Sequence, residues 1–146
     1  MAGPLNSGLI AGAFIALTAL SLDASAQNAH FVGAPTVRCS GSTLVISFKV
    51  AGLGQGQFVE VSASDSAVVQ CVNRGGNPPP GQRENVSASG TFGPASKSGN
   101  IRGSLTLTPQ TDCPDHMTQI ATYSNITLST EDGDTAFLGG PFVCSD

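Results

Sequence analysis

Acid–base or nucleophilic catalysis needs a titratable group held beside a reacting one, and this chain offers few. It has two histidines, His30 and His116. His30 precedes the first clear strand pattern, in a loose lead-in that cannot hold a side chain to catalytic tolerance. His116 sits in Cys113-Pro114-Asp115-His116-Met117. Its nearest carboxylate, Asp115, is its direct sequence neighbour, a poor arrangement for a triad. No Gly-x-Ser-x-Gly elbow occurs. One imidazole with the Met117 thioether falls short of a copper or zinc site. Glu60 and Glu84 lie on separate segments, unlike the facing carboxylates of glycoside hydrolysis. The expectation is a non-catalytic chain without a cofactor.

Two stretches suit recognition better than catalysis. Asn73 to Gln82 reads Asn-Arg-Gly-Gly-Asn-Pro-Pro-Pro-Gly-Gln, a loop whose consecutive prolines give it a stiff, extended centre. Asn73, Arg74, Asn77, Gln82 and Arg83 place amides and guanidinium groups around that centre, as sugar hydroxyls or a protein surface require. An aromatic content of 5% without Trp argues against a lectin, because sugar faces stack on aromatic rings. In Glu131-Asp132-Gly133-Asp134, carboxylates cluster around a glycine, so Glu131, Asp132 and Asp134 are the candidate calcium ligands. The same residues also spell an Asp-Gly hairpin turn, which needs no ion.

The compartment follows from the first residues and the cysteines. Leu9 to Leu22 is uncharged and apolar, shorter than the roughly 18–20 residues of a membrane span. Ala24-Ser25-Ala26 follows it, so residues 1–26 read as a signal peptide cleaved before Gln27. Residues 27–35 read as a loose lead-in, and 36–146 as one domain. Cys39, Cys71, Cys113 and Cys144 make an even count without a Cys-x-x-Cys clip, the pattern of two disulfides in an exported chain. Three connectivities are open. Cys71–Cys113 with Cys39–Cys144 is preferred, because chain ends commonly lie close together. Such a protein is expected in a periplasm, at a cell surface or outside the cell.

Charged residues are 11% of the chain, against about a quarter in an average protein. The net charge is −4, and the lysines and arginines are scattered singly, without a basic stripe. Nucleic acid and membrane insertion are therefore set aside, leaving another protein or a second copy as partner.

Period-two alternation must position whatever site exists. Leu44, Ile46, Phe48 and Val50 share one face of a strand from Thr43 to Ala51, with Thr43, Ser47 and Lys49 on the other. Similar patterns run through Phe58–Ala63, Val86–Phe92 and Ile101–Thr108, and Ala67–Val72 is a short apolar run that reads as a central strand. In Thr118–Ser129 the inward set shifts from Ala121 and Tyr123 to Ile126 and Leu128, which requires a bulge near Ser124. Thr135–Leu138 and Pro141–Cys144 supply the last strands. Seven or eight short strands with Gly and Pro punctuation predict an all-β, two-layer antiparallel sandwich.

The run Cys71-Val72-Asn73-Arg74-Gly75-Gly76-Asn77-Pro78-Pro79-Pro80-Gly81-Gln82, with Cys113-Pro114 and Ile126-Thr127-Leu128 downstream, resembles a group of small exported bacterial proteins. The resemblance implies an immunoglobulin-like sandwich of no assigned activity. It favours the Cys71–Cys113 pair, with Cys39 and Cys144 additional to the pattern, and carries no functional residue across. The function expected is a non-catalytic extracellular or cell-surface interaction module. The alternative is a soluble domain binding a glycan, a small molecule or calcium.

Overall fold

The alternation of Thr43–Ala51 is the pattern that the rest of the chain repeats. The computed structural model describes residues 28–76 and 80–146. The strands are β1 (His30–Phe31), β2 (Thr36–Ser40), β3 (Thr43–Ala51), β4 (Val59–Val72) and β5 (Gln82–Phe92). They continue as β6 (Ile101–Leu107), β7 (Thr118–Tyr123), β8 (Ile126–Thr130), β9 (Thr135–Leu138) and β10 (Phe142–Ser145). Among the described residues no helix is long and apolar enough to cross a membrane. The proposed signal peptide lies outside the described residues.

Two antiparallel sheets pack face to face. In the smaller sheet β3 is central, with β6 along one edge and β2 and β1 sharing the other end to end. In the larger sheet β4 is the spine. It takes β5 along one edge, and β7 and β8 in succession along the other. β10 and β9 extend β7 and β8 outward. Leu44, Ile46, Phe48 and Val50 meet Val59, Val61, Tyr123, Ile126 and Leu128 in one core. This is the antiparallel sandwich that the alternation predicts.

Three details differ from the sequence reading. Phe58–Ala63 and Ala67–Val72 are not separate strands, because Ser64, Asp65 and Ser66 pair continuously with β5 and carry β4 straight through. The described part of the expected loose lead-in is fastened. Ala29 is buried, and His30 and Phe31 pair with Ala51 and Val50. The strand number rises to ten because β1 and β2 precede β3 and because β7 and β8 are distinct.

The break between β7 and β8 is the register change expected near Ser124. Tyr123 and Ile126 both point inward, although three positions separate them. Asp65, buried in β4, spans the gap. Its carboxylate accepts the backbone N–H groups of Ser66 at 2.6 Å, Ser124 at 3.0 Å and Asn125 at 2.9 Å. Donors that lose ladder partners are thereby satisfied by a side chain.

Both preferred disulfides are present. Cys39–Cys144 joins β2 at the edge of one sheet to β10 at the edge of the other, with Cα atoms 5.4 Å apart. Cys71–Cys113 ties the end of β4 to the β6–β7 connection, at 5.5 Å. Between the sheets, Phe48 stands edge-to-face against Phe31 and Phe92, with centroids 6.0 and 5.0 Å away. Gly103, opposite Phe48 in β6, makes room for them. A Cβ there would lie 2.6 Å from Phe92 and 2.9 Å from Phe48.

Candidate functional site

The connection from Asn73 to Gly81 joins β4 to β5 and is clamped at its root by Cys71–Cys113. Asn73 builds the first turn, its Oδ1 accepting the Gly75 N–H and its carbonyl the Gly76 N–H, both at 3.0 Å. Arg74 is exposed in that turn, while Gln82 and Arg83 are exposed on β5 opposite Val69 and Val68. Arg83 is therefore on the order of 15 Å along the sheet from Asn73, at about 3.3 Å per residue. Asn77 lies outside the described residues. The described candidates thus spread along a strand and a turn, not around one point.

The acidic turn is a hairpin joining β8 to β9, and its carboxylates hold backbone. Asp132 accepts the Ala29 N–H at 2.8 Å, Asp134 the Phe31 N–H at 2.9 Å, and Glu131 the Glu60 N–H at 3.1 Å. The first two staple β1 to the hairpin. Among the described residues no group of three or more His, Cys, Asp or Glu is placed to hold a metal ion.

The two histidines are far apart in the fold. His30 is exposed in β1, with Nδ1 2.9 Å from the Asn28 carbonyl oxygen, and His116 is exposed in the β6–β7 connection.

Two surfaces emerge that sequence spacing does not display. The first is the free edge of β5, an 11-residue strand that pairs with β4 alone. Its start is covered where Glu84 accepts the Gln110 N–H at 2.7 Å and the Thr111 hydroxyl at 2.8 Å. From Asn85 to Phe92 the edge carries no charge and no proline. Just beyond it Phe58, 51% exposed, packs over Gly93, where any Cβ would strike the ring.

The chain matches no family model and no curated protein.

The second surface is the outer face of the smaller sheet. Lys49 and Arg102 are direct cross-strand partners there, and the next row aligns Thr36, Ser47 and Ser104. These side chains, with Val32 on the β1–β2 connection, line an open groove of about 490 Å³. Arg38 lies on the same face, opposite Val45. Three of the chain's six basic residues therefore share one sheet, although they are dispersed in sequence. The alternation in β3 marks Lys49 as outward, and only the β3–β6 register brings Arg102 beside it.

Proposed function

We propose that this chain is an exported, non-catalytic interaction module on an immunoglobulin-like sandwich, and that it assembles through the free edge of β5. Export is supported by the signal-like first residues and by two disulfides, which form and persist in oxidising compartments. The observation that carries the reading is the stretch Asn85–Phe92, an edge without charge or proline. Sheet edges present unpaired N–H and C=O groups to any strand that approaches, and proteins that remain apart usually protect them with lysine, proline or short strands. β5 uses none of these over that stretch.

Strand addition at such an edge draws its affinity from main-chain hydrogen bonds. A second copy is the simplest partner, because two antiparallel copies of one strand are self-complementary about a two-fold axis. The half-exposed Phe58 ring supplies an apolar contact at the end of the ladder.

Sedimentation velocity over a concentration series tests this. Association should rise with concentration, and the double substitution Ser87→Lys with Ser89→Lys should abolish it while leaving the melting temperature nearly unchanged. Both serines are exposed in β5, opposite Ser64 and Ser62 of β4, so the new charges sit on the edge strand without entering the core. A wild-type protein that stays monomeric at millimolar concentration, or an association that the double variant retains, would overturn the reading.

A further inference from the structure

We infer that the groove on the outer face of the smaller sheet binds an acidic saccharide, whose carboxylate or sulfate group lies between Lys49 and Arg102. The inference is independent of the β5 edge, since the groove is built from β3, β6 and the β1–β2 connection.

The first argument is electrostatic. Lys49 and Arg102 are directly opposite in the β3–β6 register, and like charges at such positions destabilise a sheet. No Asp or Glu occurs on any strand of that sheet. Among the described residues neither basic side chain is engaged in an ion pair or hydrogen bond. An anion between the two cations turns their repulsion into two charge-assisted contacts. In a chain of net charge −4, three of the six lysines and arginines stand on this face, while Asp132 and Asp134 reach the sheet at the Ala29 and Phe31 backbone N–H groups.

The second argument concerns what carries the anion. The row beside the cations presents the hydroxyls of Thr36, Ser47 and Ser104 in register. Hydroxyls both donate and accept, so they can meet ring hydroxyls in either sense. With 5% aromatics and no Trp the chain lacks the ring stacking that holds neutral sugars, so the affinity rests on the charge pair. The row lies about 7 Å along the strands from the cations, which is two residues of rise. An anionic group and the hydroxyls of an adjoining sugar ring can occupy the two rows together. The groove is open to solvent, about 490 Å³, with Val32 in its lining.

The test is calorimetric titration of the disulfide-intact protein with five probes: an oligogalacturonate for carboxylate, a heparin oligosaccharide for sulfate, neutral dextran, inorganic sulfate, and a short DNA duplex. Saturable binding to at least one acidic oligosaccharide is expected, with none to dextran. Lys49→Glu should weaken it about tenfold or more, the loss of one charge-assisted contact and its replacement by repulsion. Lys97→Ala, exposed in the β5–β6 connection and outside the groove lining, should leave it unchanged. Lys49→Gln should melt, without ligand, at the wild-type temperature or above it, which separates loss of binding from loss of fold. The inference is overturned if neither acidic oligosaccharide binds, if Lys49→Glu binds as well as wild type, or if DNA or inorganic sulfate binds as tightly as the saccharide.

Discussion

The buried Asp65 carboxylate stands where a strand neighbour would stand for Asn125, accepting its backbone N–H at 2.9 Å. It treats Ser124 and Ser66 in the same way. One side chain therefore supports the point at which the outer half of the larger sheet changes register.

Asp65→Ala should accordingly be among the most destabilising single substitutions. It leaves backbone donors without their acceptor, and hydrogen bonds to a charged group are individually the stronger kind. A loss of about 3 kcal/mol is expected in urea unfolding. Asp65→Asn keeps one carbonyl acceptor and should lose less. If the alanine variant unfolds at the wild-type urea concentration, the carboxylate does not support the break.

Tyr123 joins the two sheets. Its hydroxyl donates to the Ser42 carbonyl at 2.7 Å and is 3.2 Å from the Leu107 carbonyl. Burial, followed by the negative charges of Asp65 and Glu84, pushes its pKa from 10.0 up to about 12. The folded state thus holds the proton more tightly than the unfolded one. Its contribution is complete below pH 10 and declines as pH rises towards 12, by at most about 1.4 kcal/mol per pH unit. Brief alkaline urea titrations should show this fall in wild type and a shallower one in Tyr123→Phe. At neutral pH that variant should lose about 1 kcal/mol.

Gly103→Ala tests the aromatic cluster. The added methyl would lie 2.6 Å from the Phe92 ring and 2.9 Å from Phe48, so the rings must move. Overpacking of this kind costs about 1–3 kcal/mol. A thermal melt unchanged from wild type would show that the space between the sheets yields freely.

The two disulfides close loops of different length, with sequence separations of 105 for Cys39–Cys144 and 42 for Cys71–Cys113. Chain entropy assigns them about 5 and about 4 kcal/mol respectively. Replacing Cys39 and Cys144 by alanine should therefore lower the denaturation midpoint more than replacing Cys71 and Cys113. The reverse order would mean that the clamp at the root of the β4–β5 loop matters more than the link between sheet edges.

Much of this architecture was legible in the order of residues. Alternation in Thr43–Ala51 and in Ile101–Thr108 identified strands and their inward faces, because side chains point to opposite faces with period two. The odd spacing from Tyr123 to Ile126 located the register change for the same reason. Four cysteines without a metal spacing indicated two disulfides, and both preferred pairs formed. The continuity of β4 through Asp65 was not legible. A charged residue between small ones reads as a break until its carboxylate finds donors 59 and 60 positions away.

The sites depended still more on the tertiary structure. Glu131, Asp132 and Asp134 read in sequence as candidate ligands or as a hairpin turn, and the fold sets one oxygen of each on a backbone N–H, of Glu60, Ala29 and Phe31 respectively. Lys49 and Arg102 looked isolated, 53 residues apart, and are direct neighbours across β3 and β6. Composition and periodicity are local quantities, so by themselves they determined most of the strands, the inward faces of those strands and the class of fold. Which strands neighbour one another, and in what register, is decided by burying one face of every strand at once. Only that choice set the free β5 edge and the basic groove.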